Sequence, residues 1–481
     1  MKNIITYKLI TFLFIVSISF AQTITIDNTK SKLDEKGQIV DAHDGRVIQF
    51  GDTFYWYGTS YGTTNGFTTQ NHYRCYSSKD LTNWKYEGKL LDTQPEGVYY
   101  RPHVIYNKKI KKYVLWYNWY PKLWDGQFGA AISDTPQGPF KIVNDNVKMY
   151  NSKIGLGDFG LFVDDDGTGY ISYNTIQNHQ VSVEKLSDDY LSSTLKNGGV
   201  IAKNMEAGTM FKNEGKYYLL TDYTCCFCNY GSGARVYISD NPLKGYSLTT
   251  NINRYPGRYS PILYDGITRG TLYETLSKKK DEYDSVEILF DEKLKINKLA
   301  LHLFTGNRPE NCGDVNNPKV HPDIVSQKFE IFEWNNHTWK KINIKNQMIK
   351  KSTLKEKIII EFTTSISDRI KIVPVESDAN VYINEIETFN EGTPNNSRGS
   401  FFITRSNIRQ KPIIPAQQSY VMKLNTTKGE KYIWIGDLWG SASDNIKGHD
   451  YQYWSAPLEF NEDGTIKPMK WTDRWTVELK K

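Results

Sequence analysis

Short apolar stretches broken by Gly, Asp and Asn run from residue 42 to about 248, and they alternate instead of recurring at helical spacing. One unit sets the pattern. Gly157-Asp158-Phe159-Gly160-Leu161-Phe162-Val163 is followed by Asp164-Asp165-Asp166-Gly167 and then by Thr168-Gly169-Tyr170. A lone carboxylate heads an apolar run, an acidic turn ends in Gly, and a second strand follows. The pattern predicts strand, tight turn, strand, with Asp158 at the head. Residues 42–58 repeat this form with Asp44 and a Gly51-Asp52 turn, and residues 206–220 repeat it with Glu206 and a Glu214-Gly215 turn. A fourth such phrase sits near Asn107. Each hairpin leads to a further strand and a connecting segment, at spacings of about 40–55 residues, the length of one four-stranded blade. Four propeller blades are therefore expected before residue 250, with the three carboxylates converging at the mouth of the axis.

The character changes over 251–395. Lys becomes frequent, the blade phrases stop, and alternating strands are predicted at 286–290, 299–304, 328–333, 357–362, 369–373 and 381–386. This predicts a separate β-sandwich. Blade phrases return at 419–424, 432–436 and 458–460. The expected organisation is all-β. Blades one to four span 22–250, an inserted β-sandwich spans 251–395, and the last blade and C-terminal segment span 396–481. Insertion between blades is tolerated when the loop ends lie close together at the surface.

Composition narrows the function. The 481 residues include 33 Tyr and 12 Trp, which favours strands and carbohydrate-facing surfaces. The net charge of +6 comes from 60 basic and 54 acidic side chains spread without a basic block, which argues against a nucleic-acid partner. Residues 1–21 read as a signal peptide, with an apolar core at 9–20 too short for a membrane span and a cleavage site after Ala21. A secreted or periplasmic protein with no membrane span after cleavage, and a monomer, is expected. Five Cys are present, and Cys225-Cys226-Phe227-Cys228 lacks the spaced pairs of a zinc ribbon, so a disulfide is the expected use. No catalytic metal and no cofactor are expected. The Asp164–166 run reads as a solvated turn, although the sequence leaves room for a structural calcium ion.

Several motifs in order resemble glycoside hydrolase family 43. They are Ala42-His43-Asp44-Gly45-Arg46, Ser77-Ser78-Lys79-Asp80-Leu81-Thr82-Asn83-Trp84, the stretch from Asp158 to Gly167, and Glu206-Ala207-Gly208. Within the family, Arg101-Pro102-His103, Ala416-Gln417-Gln418-Ser419-Tyr420 and Ile435-Gly436-Asp437-Leu438-Trp439 resemble the exo-β-1,3-galactanase branch. The resemblance covers about 42–250 and 396–478. It implies a five-bladed propeller that hydrolyses glycosidic bonds with inversion, acting on a polysaccharide or oligosaccharide. Inversion needs a carboxylic acid to protonate the leaving oxygen and a base to activate water.

By the resemblance, Glu206 is the general acid, Asp158 tunes it and holds the sugar, and the water is served either by Asp44, at the wider family's base position, or by Gln417, where the branch has a Gln proposed in the base's place. Phe227 and Trp439 are implied stacking contacts for the sugar, and His43, Arg101, Gln417 and Asp437 are further candidate substrate contacts, with an ion pair the structural alternative for Arg101. The chain departs from the branch in carrying Asp44 where the branch has Gly, and Tyr100 and Thr59 where it has galactose-binding Glu. Arabinofuranose or galactofuranose is therefore the alternative terminal sugar, and a non-catalytic glycan-binding propeller is the alternative of another class. The insert resembles a discoidin-like module through residues 261–268, 286–290, 329–334 and 381–387.

Overall fold

The structure is a computed structural model. It describes residues 22–480 apart from 225, 228–233, 255–262, 265–267, 269–273, 277, 280–281, 304–306, 309–318, 321–327, 353–354, 376–380, 396–399 and 404–411. The leader expected over 1–21 lies outside the described residues, as does most of the expected opening turn of the insert at 261–268.

Four sheets of four antiparallel strands follow one another along the chain. Blade one holds His43–Phe50, Thr53–Ser60, His72–Ser78 and Lys85–Lys89. Blade two holds Val98–Asn107, Lys112–Tyr120, Gln127–Ser133 and Lys141–Asn144. Blade three holds Leu156–Val163, Gly169–Thr175, Gln180–Leu186 and Ser193–Lys203. Blade four holds Met205–Asn213, Lys216–Tyr223, Arg235–Ser239 and Ser247–Asn251. The fifth sheet joins Gln417–Thr426, Gly429–Leu438 and Tyr451–Trp454 to Arg474–Leu479 and the N-terminal strand Gln22–Asp27. In it Ile24 pairs with Val477, so both ends of the described chain meet in one blade. The first strands of the five blades lie side by side, each against the next and the fifth against the first. That closes a five-bladed propeller.

Alternation along the strands puts apolar side chains on both faces of each blade, and these meet between blades. Val47, Trp56 and Trp84 of blade one pack with Ile433 and Trp454 of blade five. Trp116 and Phe128 of blade two pack with Phe159 and Tyr173 of blade three. Each such side chain contributes about 1.5–3 kcal/mol by burial. At the axis the approach is close. A Cβ on Gly160 of blade three would meet the carbonyl oxygen of Gly208 of blade four at 2.7 Å, so glycine is required there.

The insert leaves the ring after blade four. Asn253 Nδ2 donates to the Ile414 carbonyl at 2.9 Å, and the Ile414 N–H donates to Asn253 Oδ1 at 2.7 Å. One side chain thus clasps the two ends of the insertion. The long strands Val286–Leu303 and Lys355–Pro374 pair with each other, and Phe329–Asn335, Val381–Asn390 and Ser400–Ile403 join their sheet. Its core of Ile288, Ile331, Ile360 and Ile372 is its own.

Four expectations need correction here. Residues 22–27 do not belong to blades one to four, because Gln22–Asp27 pairs with Arg474–Leu479 in the fifth blade. The insert does not end at 395, because Ser400–Ile403 pairs with Val286–Leu289 in its sheet. The strands expected at 286–290 and 299–304 are one strand with register shifts, as are those at 357–362 and 369–373. Residues 458–460 form no strand, and Phe460 makes only an isolated bridge to Ile466.

Candidate active site

All five first strands carry a register shift near their start. It falls between His43 and Arg46, Tyr100 and His103, Leu156 and Phe159, Glu206 and Thr209, and Gln418 and Tyr420. A bulge adds a residue and re-aims a side chain. Asp44, Arg101 and Asp158 lie within their bulges, Glu206 and Gln417 stand just ahead of theirs, and all five line one pocket of about 250 Å³. Asp44, Arg101 and Ala207 have φ of 52°, 49° and 53°, which non-glycine residues seldom adopt. Strain of this kind persists only where the surroundings over-determine the residue.

Asp44 is held in this way. Its backbone N–H donates to Asp437 Oδ2 at 2.8 Å, and its carbonyl accepts from the buried Arg46 guanidinium at 2.6 Å. The Tyr61 hydroxyl donates to its carboxylate Oδ2. Burial pushes the Asp44 carboxyl above the ordinary carboxylate range, and Arg101 opposes that shift. Arg101 Nε pairs with Asp158 Oδ1 at 2.7 Å, and its other end donates to the Gln418 carbonyl. Burial works against the Arg101 charge, but Asp158, Asp44 and Glu206 together keep it firmly protonated. Gln417 Nε2 donates to Glu206 Oε1 at 3.1 Å. Trp439 Nε1 donates to Gln417 Oε1 at 2.8 Å, which fixes the direction of that amide.

The residues expected to touch substrate divide into two groups. Arg101, Phe227 and Gln417 line the pocket with Asp44, Asp158 and Glu206. His43, Asp437 and Trp439 do not line it. They are buried behind it and hydrogen-bonded into its wall. His43 Nδ1 lies 3.0 Å from Asp437 Oδ1, and its other nitrogen faces Asp41 at 3.8 Å. Burial disfavours the imidazolium, yet Asp437, Asp41 and Asp450 outweigh it and raise the pKa to about 9.

Phe67, Tyr120, Trp124, Asn174, Ile176 and His179 also line the pocket, and no sequence motif singles them out. A signal for some of them was present. In an antiparallel hairpin the second strand ends where the first begins, so Tyr120 and Asn174, at or near second-strand ends, reach the same mouth as the carboxylates, and Tyr61 and Trp439, just beyond such ends, stand behind its wall. Phe227 is boxed by Tyr61, Phe67 and Trp439 at centroid distances of 5.3, 4.9 and 5.2 Å, with Lys447 Nζ 4.1 Å from its ring centre. Cys226, beside it on the wall, is disulfide-bonded, and Cys75 is a buried free thiol. Among the described residues no group of three or more His, Cys, Asp or Glu is arranged to hold a metal. The Asp164–166 turn instead meets Lys212, at 2.8 Å from both Asp164 and Asp165. No helix among the described residues is long and apolar enough to cross a membrane.

Five blades thus bring three carboxylates and an arginine into one axial pocket. Residues 39–254 match the model of glycosyl hydrolases family 43. The first four blades are thus similar to that family. An exo-β-1,3-galactanase from Clostridium thermocellum is 18% identical, with 94% of this chain and 67% of that one covered and a TM-score of 0.54. A family 43 β-1,3-galactosidase solved with galactodeoxynojirimycin is 19% identical, covers 94% of this chain and 99% of its own, and gives a TM-score of 0.53. No curated protein sequence matches the chain.

Proposed function

We propose that the protein is a secreted, exo-acting, inverting glycosidase that removes a terminal sugar, β-1,3-linked galactose in the first instance, from a polysaccharide. The observation that carries this reading is that Asp44, Asp158 and Glu206, from three different blades, line one pocket. Its volume of about 250 Å³ lies below the roughly 300–1,000 Å³ of a drug-sized site. That suits a chain end better than a threaded polymer.

Glu206 is the general acid that protonates the leaving oxygen. Asp44 draws a proton from water with the carboxylate oxygen that Tyr61 leaves free, and that water attacks the anomeric carbon from the opposite face. Asp158, oriented by Arg101, binds the sugar. Gln417 spends its amide N–H on Glu206 and its oxygen on Trp439. That engagement suits it to orienting the acid and leaves the water to Asp44.

A second sugar is favoured by one observation. Tyr100 lines the pocket with its hydroxyl tied to the Gly66 carbonyl at 3.0 Å, so it offers a ring there and no carboxylate. A furanose such as arabinofuranose or galactofuranose fits that apolar wall. The test is release of sugar by wild type, Glu206→Gln and Asp44→Asn from aryl β-galactopyranoside, α-arabinofuranoside, β-galactofuranoside and β-1,3-galactan. Activity on one of them, lost in both variants, supports the reading and names the sugar. A wild type inert on all four that still binds glycan favours a non-catalytic propeller.

A further inference from the structure

The insert carries a face that the pocket chemistry does not use. On the strand Phe329–Asn335, Phe329 and Ile331 point into the insert's core, so Phe332 and Trp334 point the other way. On Lys355–Pro374, Ile370 and Ile372 face the core and Arg369 and Lys371 the opposite side. The register sets Phe332 beside Lys371 and Trp334 beside Trp339 of the strand Thr338–Lys341. These side chains interleave on that outer side. Arg369 lies over the Trp334 ring at 5.2 Å, and Lys371 lies 4.7 Å from the Trp339 centre and 5.5 Å from that of Phe332. The two indoles meet edge to face at 5.1 Å. All three aromatic residues keep part of their surface open to solvent.

Residues 328–374 as a whole hold ten basic and five acidic side chains. Lys341 stands opposite Phe332 on the outer side, and Glu330 there is taken up by Lys341 at 2.5 Å, which leaves Arg369 and Lys371 to give the face its positive sign. Each cation sits on an aromatic ring, and neither Arg369 nor Lys371 has a carboxylate within ion-pair distance among the described residues. Rings alternating with such cations match a polymer that alternates apolar sugar faces with anionic groups.

We propose that this outer sheet face binds an anionic polysaccharide, of the uronate class. The aromatic rings meet the C–H faces of the pyranoses, and Arg369 and Lys371 meet the carboxylates. The propeller in the same chain makes a polysaccharide the polyanion that this face encounters. The proposal does not depend on which sugar the pocket cleaves.

The experiment is affinity electrophoresis of the full chain in native gels containing polygalacturonate, neutral galactan or neither. The probes are wild type, the double variant Arg369→Gln with Lys371→Gln, and Trp339→Ala. Polygalacturonate is expected to retard the wild type, and galactan to do so far less. Retention should weaken roughly tenfold in the double variant and fade at about 0.5 M salt. Activity on a small aryl glycoside should be unchanged in both variants. The double variant keeps the strand's shape, so it tests the idea even if Trp339→Ala unfolds. A wild type that is not retarded, or a double variant retarded equally, overturns the proposal. Equal retardation by single-stranded DNA does so as well, since the face would then read charge alone.

Discussion

Gln417 joins Trp439 to Glu206. The indole N–H of Trp439 donates to the Gln417 oxygen at 2.8 Å, and the Gln417 amide donates to Glu206 Oε1 at 3.1 Å. Two residues of the fifth blade thus orient a carboxylate of the fourth. Gln417→Ala should lower kcat by about tenfold to a hundredfold with little change in KM, because the lost contact acts on the acid. Gln417→Glu puts a second carboxylate beside Glu206, which favours its protonated form, so the alkaline limb of the kcat/KM profile should move to higher pH. Steady-state kinetics across pH checks both.

Tyr61 does for Asp44 what Gln417 does for Glu206. Its hydroxyl donates to the Asp44 carboxylate, whose pKa burial already raises. Removing a donor to the ionised form raises that pKa further. Tyr61→Phe should therefore move the acid limb of the pH–rate profile to higher pH. Activity well above that limb should be largely kept. An unmoved acid limb would speak against Asp44 as the base.

Gly66 makes room for the pocket wall. Its φ is 92°, and a Cβ there would lie 2.5 Å from Phe227 Cζ. Tyr61, Phe67 and Trp439 box the ring and leave it little room to yield. Gly66→Ala should push Phe227 into the pocket and raise KM severalfold. The comparison of KM with kcat separates this from a loss of chemistry.

His43 ties blade one to blade five through Asp437, and its pKa is raised to about 9. A raised folded-state pKa contributes stability that is full below the unfolded value, roughly 6.5, and is lost as pH rises through the folded one. Thermal unfolding should therefore show a loss of about 1–3 kcal/mol between pH 6.5 and 9. His43→Asn should be less stable at pH 6 and should flatten that slope.

The hairpin repeat made the propeller legible. Asp44, Asp158 and Glu206 each stand at a strand head, and identical hairpins around an axis bring their heads together. The bulges that aim these side chains were not legible, because a period of two does not reveal where an extra residue enters. For the same reason His43, Asp437 and Trp439 were expected at the sugar. Their residue types suit either side of the wall, and burial in the fold decides between them. The end of the insert is not legible in sequence, because the strand Ser400–Ile403 is assigned by its partner Val286–Leu289, more than a hundred residues away.

The most direct test of the acid and base assignment is the configuration of the first product. Proton NMR of a β-linked substrate during the first minutes of hydrolysis reads the anomer before it mutarotates. With Glu206 as acid and Asp44 serving the water, the α-anomer must appear first, and Asp44→Asn must abolish it. First appearance of the β-anomer would contradict the account, since retention requires one of these carboxylates to attack the sugar directly.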